Sequence, residues 1–243
     1  MPSLMPHGAL FVEGLDDEHA IKQLLARHNI HIHDDECPLR VHCKGSDTGV
    51  IDAVSVAIKA SGKHPVGFVV DTDAFEPPSS QFPKGRRLSR TDRWSAIRAR
   101  LASVEVVLPT PQQPIDSELP SGGFISRSLR FERDVGVWLM PDNRADYGKI
   151  EDLLSTLVPK GDALFELAKR ATTEALGIST TRPSENPAIQ TKNERKGQLH
   201  SWLAWQEEPG MSYGHALRRK YFEHNSSVAT AFVAWFKRLY GLP

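Results

Sequence analysis

Apolar and polar positions alternate along the first half of the chain in a way that predicts strands and helices in turn. Ala9 to Val12 is a short apolar run that stops at Glu13-Gly14 and reads as a buried strand. Asp16, Asp17 and Glu18 then open a helix, because acids suit its positive N-terminal end. Ala20, Ile21, Leu24 and Leu25 supply that helix's apolar face. Leu39 to Cys43 predicts a second strand. A helix follows from about Val50 to Ala60, with Gly49 near its start and Gly62 at its end. Val66 to Val70 predicts a third strand, running directly into Asp71-Thr72-Asp73. Strand and helix alternating in this way imply a parallel sheet covered by helices.

Residues 74–90 read as a loop, with Pro77, Pro78, Pro83 and Gly85. Thr91 or Asp92 is the expected cap of the next helix, which carries Trp94, Ile97 and Leu101 on one face. Val104 to Leu108 predicts a fourth strand, and 109–123 a surface loop rich in proline, glycine and serine. Val135 to Met140 predicts another strand, ending at Pro141-Asp142-Asn143. Helices are expected near 147–157 and 161–176, and irregular chain over 177–190. The stretch 191–240 predicts two or three helices, broken at Pro209-Gly210 and near Asn225. The expected organisation is an α/β core over residues 1–157 and a helical extension over 158–243 packed on it.

Composition narrows the class without naming a function. A chain of 243 residues, 40% hydrophobic and 25% charged, can bury one sizeable α/β core. No apolar run reaches the length of a bilayer span, and Met1 to Gly8 lacks the basic patch and apolar core of a secretory signal. Two cysteines, Cys37 and Cys43, make no framework of bridges, so a reducing cytoplasm is the expected compartment.

The net charge of zero hides a pattern. Residues 1–76 hold twelve acids against six bases, whereas 84–100 hold seven bases against the single acid Asp92. An acidic stretch beside a basic one suits a metal site next to a phosphate-binding surface. Two solvated faces would give the same pattern.

Three acids stand where chemistry needs them. Glu13 ends the first predicted strand, and Asp71 and Asp73 follow the third. Ligands of an open parallel sheet bind outside the carboxyl ends of its strands. Clustered carboxylates repel one another unless a cation neutralises them, and several oxygen ligands suit magnesium or manganese better than zinc.

Phe-Val-Glu-Gly-Leu-Asp-Asp-Glu (residues 11–18) resembles the first motif of the Toprim family, a strand ending in Glu-Gly with an acid shortly after. Val-Val-Asp-Thr-Asp-Ala (69–74) resembles the second, a strand followed by Asp-x-Asp. The resemblance implies a Toprim-like, Rossmann-like fold with Glu13 as general acid/base or metal ligand. Asp71 and Asp73 would hold magnesium. Trp-Leu-Met-Pro-Asp-Asn (138–143), Gly-Lys-Ile-Glu-Asp-Leu-Leu (148–154) and Trp-Leu-Ala-Trp-Gln-Glu-Glu-Pro-Gly (202–210) extend it along the chain. These segments are similar to Toprim-related bacterial proteins and to the nuclease halves of overcoming-lysogenization-defect proteins, which pair a Toprim domain with an ATPase. That likeness adds Asp142, Glu151 and Asp152 as candidate acids, with Glu151 preferred over its neighbour. It also adds Lys196 as a catalytic lysine, and implies two metal ions.

The sequence also departs from larger Toprim enzymes. It has no Walker phosphate loop, so an ATPase partner would be a separate chain. No separate domain presents a strand-cleaving tyrosine, and no zinc module of the primase kind is visible. Hydrolysis is therefore expected rather than strand passage or primer synthesis.

Other assignments compete for the same residues. Asp-x-Asp also occurs in haloacid-dehalogenase-like phosphatases, usually on the first strand, and in glycosyltransferases. Pro-Asp-Asn suits a turn. Asp16 and Asp17 read as helix-start acids rather than ligands. His28, His31, His33, His42, Cys37 and Cys43 invite zinc, but no paired ligand spacing is present. Arg86, Arg87, Arg90 and Arg93 suit phosphate contacts; a solvated amphipathic helix explains them too. Trp202, Trp205, Phe232, Trp235 and Phe236 recur at helical spacing and read as core or as a contact between two copies of the chain.

The sequence therefore predicts a magnesium- or manganese-dependent nuclease acting on DNA or RNA, with no membrane association. A separate ATPase partner in phage defence and a homodimer are possible assemblies. Two rivals are a non-catalytic Toprim-fold partner of an ATPase and a small-molecule phosphohydrolase.

Overall fold

The computed structural model describes residues 7–32, 38–76, 78–80, 82–109, 119–179 and 194–243. His33 and Cys37, two of the residues weighed for zinc, lie outside these. Four strands form a parallel array: β1 (Gly8–Val12), β2 (Leu39–Cys43), β3 (Val66–Asp71) and β7 (Arg133–Met140). β6 (Phe124–Ser128) joins antiparallel to β7, completing a five-stranded sheet of order β2-β1-β3-β7-β6. The expected mostly parallel α/β sheet flanked by helices is what the chain forms, in a Rossmann-like arrangement.

Side chains alternate across this sheet because successive residues of a strand point to opposite faces. Leu10, Val12, Val69, Trp138 and Met140 pack with α1 (Leu15–Arg27) on one face. Ala9, Phe11, Phe68, Val70, Val137 and Leu139 pack on the other with α2 (Asp47–Ala60) and α3 (Arg90–Ala102). Burial on both faces explains why the inner strands read as continuous apolar runs.

The first face is shared with the second half of the chain. There lie α4 (Ile150–Ser155), α5 (Ala163–Ser179), α6 (Glu194–Ala204), α7 (Tyr213–Arg218) and α8 (Ser227–Tyr240). Phe232, Trp235 and Phe236 of α8 join the cluster that holds Leu10 and Trp138. The Trp235 indole donates to the Phe124 carbonyl at 3.1 Å, which satisfies its one polar atom inside the core. Trp202 is buried in the same cluster, so most of the aromatic series is core; Trp205 remains 44% exposed.

Several expected elements differ. Val104–Leu108 makes a single bridge, Val106 to Ser128, rather than a strand, because β6 already supplies the sheet's edge. The expected loop 74–90 contains a small hairpin, β4 (Ala74–Glu76) with β5 (Arg86–Leu88). α3 is capped by Ser89, whose hydroxyl accepts from the Asp92 amide while Asp92 accepts from the Ser89 amide at 2.9 Å. α5 runs to Ser179, past its expected end. Among the described residues no helix is long and apolar enough to cross a membrane.

Candidate functional site

The chain passes from β1 out to β2 and returns to β3 on the other side of β1. Crossovers depart to opposite faces here, so a crevice opens at the carboxyl ends of β1 and β3. Glu13 follows β1, and Asp71 is the last residue of β3, so both stand at this switch point. Glu13 is anchored through its carbonyl, which accepts the Gly45 amide at 2.8 Å.

The exit of β3 is pinned to the loop before α4. Thr72 and Asp73 both donate their amides to the Gly148 carbonyl, at 2.9 and 3.1 Å, and the buried Thr72 hydroxyl donates to the Met140 carbonyl at 2.9 Å. Glycine is required at 148, since a Cβ there would lie 2.4 Å from the Pro141 ring. This close approach carries Glu151 into the crevice at the start of α4.

The result is a cleft of about 690 Å³ with acids and bases in its wall. Glu13, Asp17, Asp71, Asp73, Glu151 and Asp152 line it, together with Arg87, Lys149, Arg195 and Lys196. Asp71 is titrated well above the ordinary carboxylate range, first by burial, then by the charges of Asp17, Glu13 and Glu151; Lys149 opposes the shift. Asp17 is pushed up to about 7, by burial first and then by Glu13 and Glu151 against the lowering effect of its bond from the Gly14 amide. That bond, 2.7 Å to the Asp17 carboxylate, ties the acid to the start of α1. Burial, and then Glu151 and Asp16, also raise the phenol of Tyr213, which stays neutral beside the cluster.

The cations sit around these acids. The Arg87 Nε donates to Asp73 Oδ1 at 2.7 Å, and its guanidinium stacks 4.0 Å over the Tyr147 ring. Arg195 pairs with Asp152 at 3.2 Å. Lys196 Nζ is 3.9 Å from Glu151 Oε1 and half exposed, so it reaches over the cleft.

Sequence-predicted residues thus divide. Glu13, Asp71, Asp73, Glu151, Lys196 and Arg87 come together in one cleft. Asp142 does not line it: its carboxylate accepts the amides of Arg144 and Ala145, at 3.0 and 2.9 Å, and serves a turn. Arg90 and Arg93 are 8% and 4% exposed, which takes them away from any phosphate. Arg90 donates to the Asn143 carbonyl at 2.9 Å; Arg93 donates to the Asp71 carbonyl and pairs with Asp47 at 2.9 Å. They brace the cleft from behind. Arg86 pairs with Glu76 and Asp92 outside it.

Asp17, Lys149, Tyr147 and Arg195 were not singled out as site residues by the sequence. Asp17 carried a signal, as an acid four residues after Glu13; the others line the cleft only through long-range packing.

Oxygen donors of this kind suit a hard divalent cation. Among the described residues no three His, Cys, Asp or Glu side chains converge closely enough to hold a metal ion as they stand. Binding one therefore requires the carboxylates to rotate inward, against the repulsion that a cation would cancel.

A family model described as "Protein of unknown function (DUF3226)" matches residues 7–241. No curated protein and no solved structure matches the chain.

Proposed function

The chain belongs to the DUF3226 family, and we propose that it is a divalent-cation-dependent nuclease of the Toprim type, hydrolysing phosphodiester bonds of DNA or RNA. One observation carries this reading: burial and the charges of Glu13 and Glu151 raise the cost of ionising Asp17 and Asp71 at the sheet's switch point, with cations around them. Such an arrangement is unfavourable for a resting protein and favourable once a cation and a phosphate are present.

Asp71, Glu13, Asp17 and Glu151 would hold up to two magnesium or manganese ions. Asp73, paired with Arg87 at 2.7 Å, would join them once a phosphate drew Arg87 away. A bound ion supplies Lewis-acid polarisation of the phosphodiester and neutralises its charge. The chain's own residues do the rest. Arg87, Arg195 and Lys196 attract and orient the phosphate from the rim. Glu13, at the switch crevice, would serve as general acid/base or take part in ligation. An ATPase, if one takes part, is a separate chain.

The test is an assay of single- and double-stranded DNA and RNA with magnesium or manganese, beside Asp71→Asn. Cleavage by the wild type and its loss in Asp71→Asn support the nuclease. Cleavage of phosphomonoesters alone would replace it with a small-molecule phosphohydrolase. No hydrolysis by folded, cation-loaded protein would leave a non-catalytic partner role.

A further inference from the structure

Two tyrosines of one hydrophobic cluster treat their hydroxyls differently. Tyr240 and Tyr213 are 7% and 1% exposed. The Tyr240 hydroxyl donates to the Ala9 carbonyl at 2.7 Å. The Tyr213 hydroxyl is fully buried and makes no hydrogen bond. Buried hydroxyls are nearly always bonded, because an unpaired one has given up its hydration for nothing. Trp202 Nε1 is unpaired as well, but its indole packs on the rings of Phe165 and Phe222. Tyr213 differs in standing beside the acidic cleft.

Its place follows from the helices around it. Tyr213 opens α7, which packs so closely on α1 that a Cβ at Gly214 would lie 2.9 Å from the His19 backbone. The first turn of α1 carries Asp16 and Asp17. On α6, Lys196 and His200 are four residues apart and share a face. Lys196 Nζ stands 3.9 Å from Glu151 Oε1, and the His200 ring centre lies 5.1 Å from that of Tyr213. The phenol is thereby set beside Glu151, whose charge acts on it together with that of Asp16.

Glu151 has the complementary deficit. It is 7% exposed, and Lys196 at 3.9 Å is beyond hydrogen-bond reach. A carboxylate that gives one oxygen to a cation keeps another that needs a donor. We infer that Tyr213 is a positioning residue of the cation site: its hydroxyl, idle in the metal-free protein, donates to the outer oxygen of Glu151 once that carboxylate turns onto the ion. A phenol is protonated at neutral pH and can donate, whereas a ligating carboxylate can only accept.

This inference rests on the divalent-cation reading of the cleft and deepens it, by naming what holds one ligand in its bound orientation. It also gives the hydroxyl an energetic sign. Unpaired, it is a cost to the metal-free fold; paired, it favours the loaded one. A tyrosine bonded only for the sake of the fold behaves in the opposite way.

Tyr213→Phe keeps the ring and deletes the hydroxyl. Tyr240→Phe does the same near the start of β1, at the other end from Glu13, and removes a bond that is already made. Manganese binding is measured by calorimetry near neutral pH, and melting temperature in EDTA. Tyr213→Phe is expected to weaken manganese binding by about 10–100-fold, the usual loss when a partner of a metal ligand is removed. Its metal-free melting temperature stays the same or rises. Tyr240→Phe shows the reverse, with a melting temperature lowered by about 2–4 °C and an unchanged affinity for manganese. Magnesium loading of the wild type also moves near-ultraviolet tyrosine absorption to longer wavelength, as a phenol becomes a donor, and this component is missing in Tyr213→Phe.

Equal manganese affinity in wild type and Tyr213→Phe overturns the inference and leaves the cation site standing. So does a metal-free Tyr213→Phe protein destabilised as much as Tyr240→Phe, since the hydroxyl would then be bonded at rest. Folded wild type that takes up no manganese overturns the cation site and this role together.

Discussion

Arg87 and Asp73 are locked together at the lip of the acidic cleft, Nε to Oδ1 at 2.7 Å, with the guanidinium stacked on Tyr147. Asp73 is buried, at 7% exposure, and Arg87 is the cation that compensates it. Arg87→Ala should therefore cost about 1–3 kcal/mol in urea unfolding, since it strands a buried carboxylate. Arg87→Lys should recover only part of this, because an ammonium cannot pair and stack in the same plane. An Arg87→Ala protein as stable as wild type would show that the pair carries no weight.

Asp71 gives the opposite sign. Its carboxylate is opposed by burial and by Asp17, Glu13 and Glu151. Asp71→Asn keeps the shape and removes the charge, so the metal-free protein should gain about 1–2 kcal/mol. Urea unfolding in EDTA measures this. A loss of stability would mean that the carboxylate makes bonds that outweigh the repulsion.

The same repulsion sets a pH dependence. Asp17 titrates at about 7 in the fold against 3.8 for an unperturbed aspartate. The folded state thus keeps a proton that the unfolded chain has released, and stability falls as pH rises between these values. Asp17's contribution is full below pH 3.8 and is lost by the time pH has passed about 7. Between pH 5 and pH 8 in EDTA Asp17 alone should contribute a fall of about 2–3 kcal/mol, to which the raised Asp71 adds, and Asp17→Asn should remove Asp17's share of it. A flat profile in the wild type would contradict the position of Asp17.

Cys43 offers a check away from the cleft. Burial, and then its 2.8 Å bond to Glu18, push its thiol up to about 12. In a Cys37→Ser background Cys43 should react at pH 8 roughly a thousandfold more slowly than a free thiol, because each unit removes nine-tenths of the thiolate. Glu18→Gln should restore about tenfold of that rate. Rapid labelling of Cys43 would show that the bond to Glu18 does not form.

What the sequence disclosed follows from what it encodes locally. Glu13 and Asp71 line one cleft because each terminates an apolar run, and parallel strands bring such ends to one rim. Trp235 and Phe232 were legible as core from their helical spacing. Arg90 and Arg93 were not legible as buried: their partners, the Asn143 and Asp71 carbonyls, are backbone atoms 53 and 22 residues away. Asp142 looked like a site residue because it ends a strand, but two local amides claim its carboxylate. Val104–Leu108 had strand composition yet makes only the Val106 bridge, since which segment pairs with β7 is settled by tertiary contacts. Asp17 is a helix-start acid, as its position in the sequence implies; that it also lines the cleft depends on where α1 lands.

The central claim is that these acids form a divalent-cation site. Calorimetric titration of the metal-free protein with manganese, at pH 7.5 and in two buffers of different ionisation enthalpy, tests it most directly. The account predicts saturable binding accompanied by proton release to the buffer, as the bound ion lowers the raised pKa values of Asp17 and Asp71 and displaces their protons, and loss of both in Asp71→Asn. Wild-type protein that is folded and takes up no manganese, or binding left unchanged by Asp71→Asn, would contradict it.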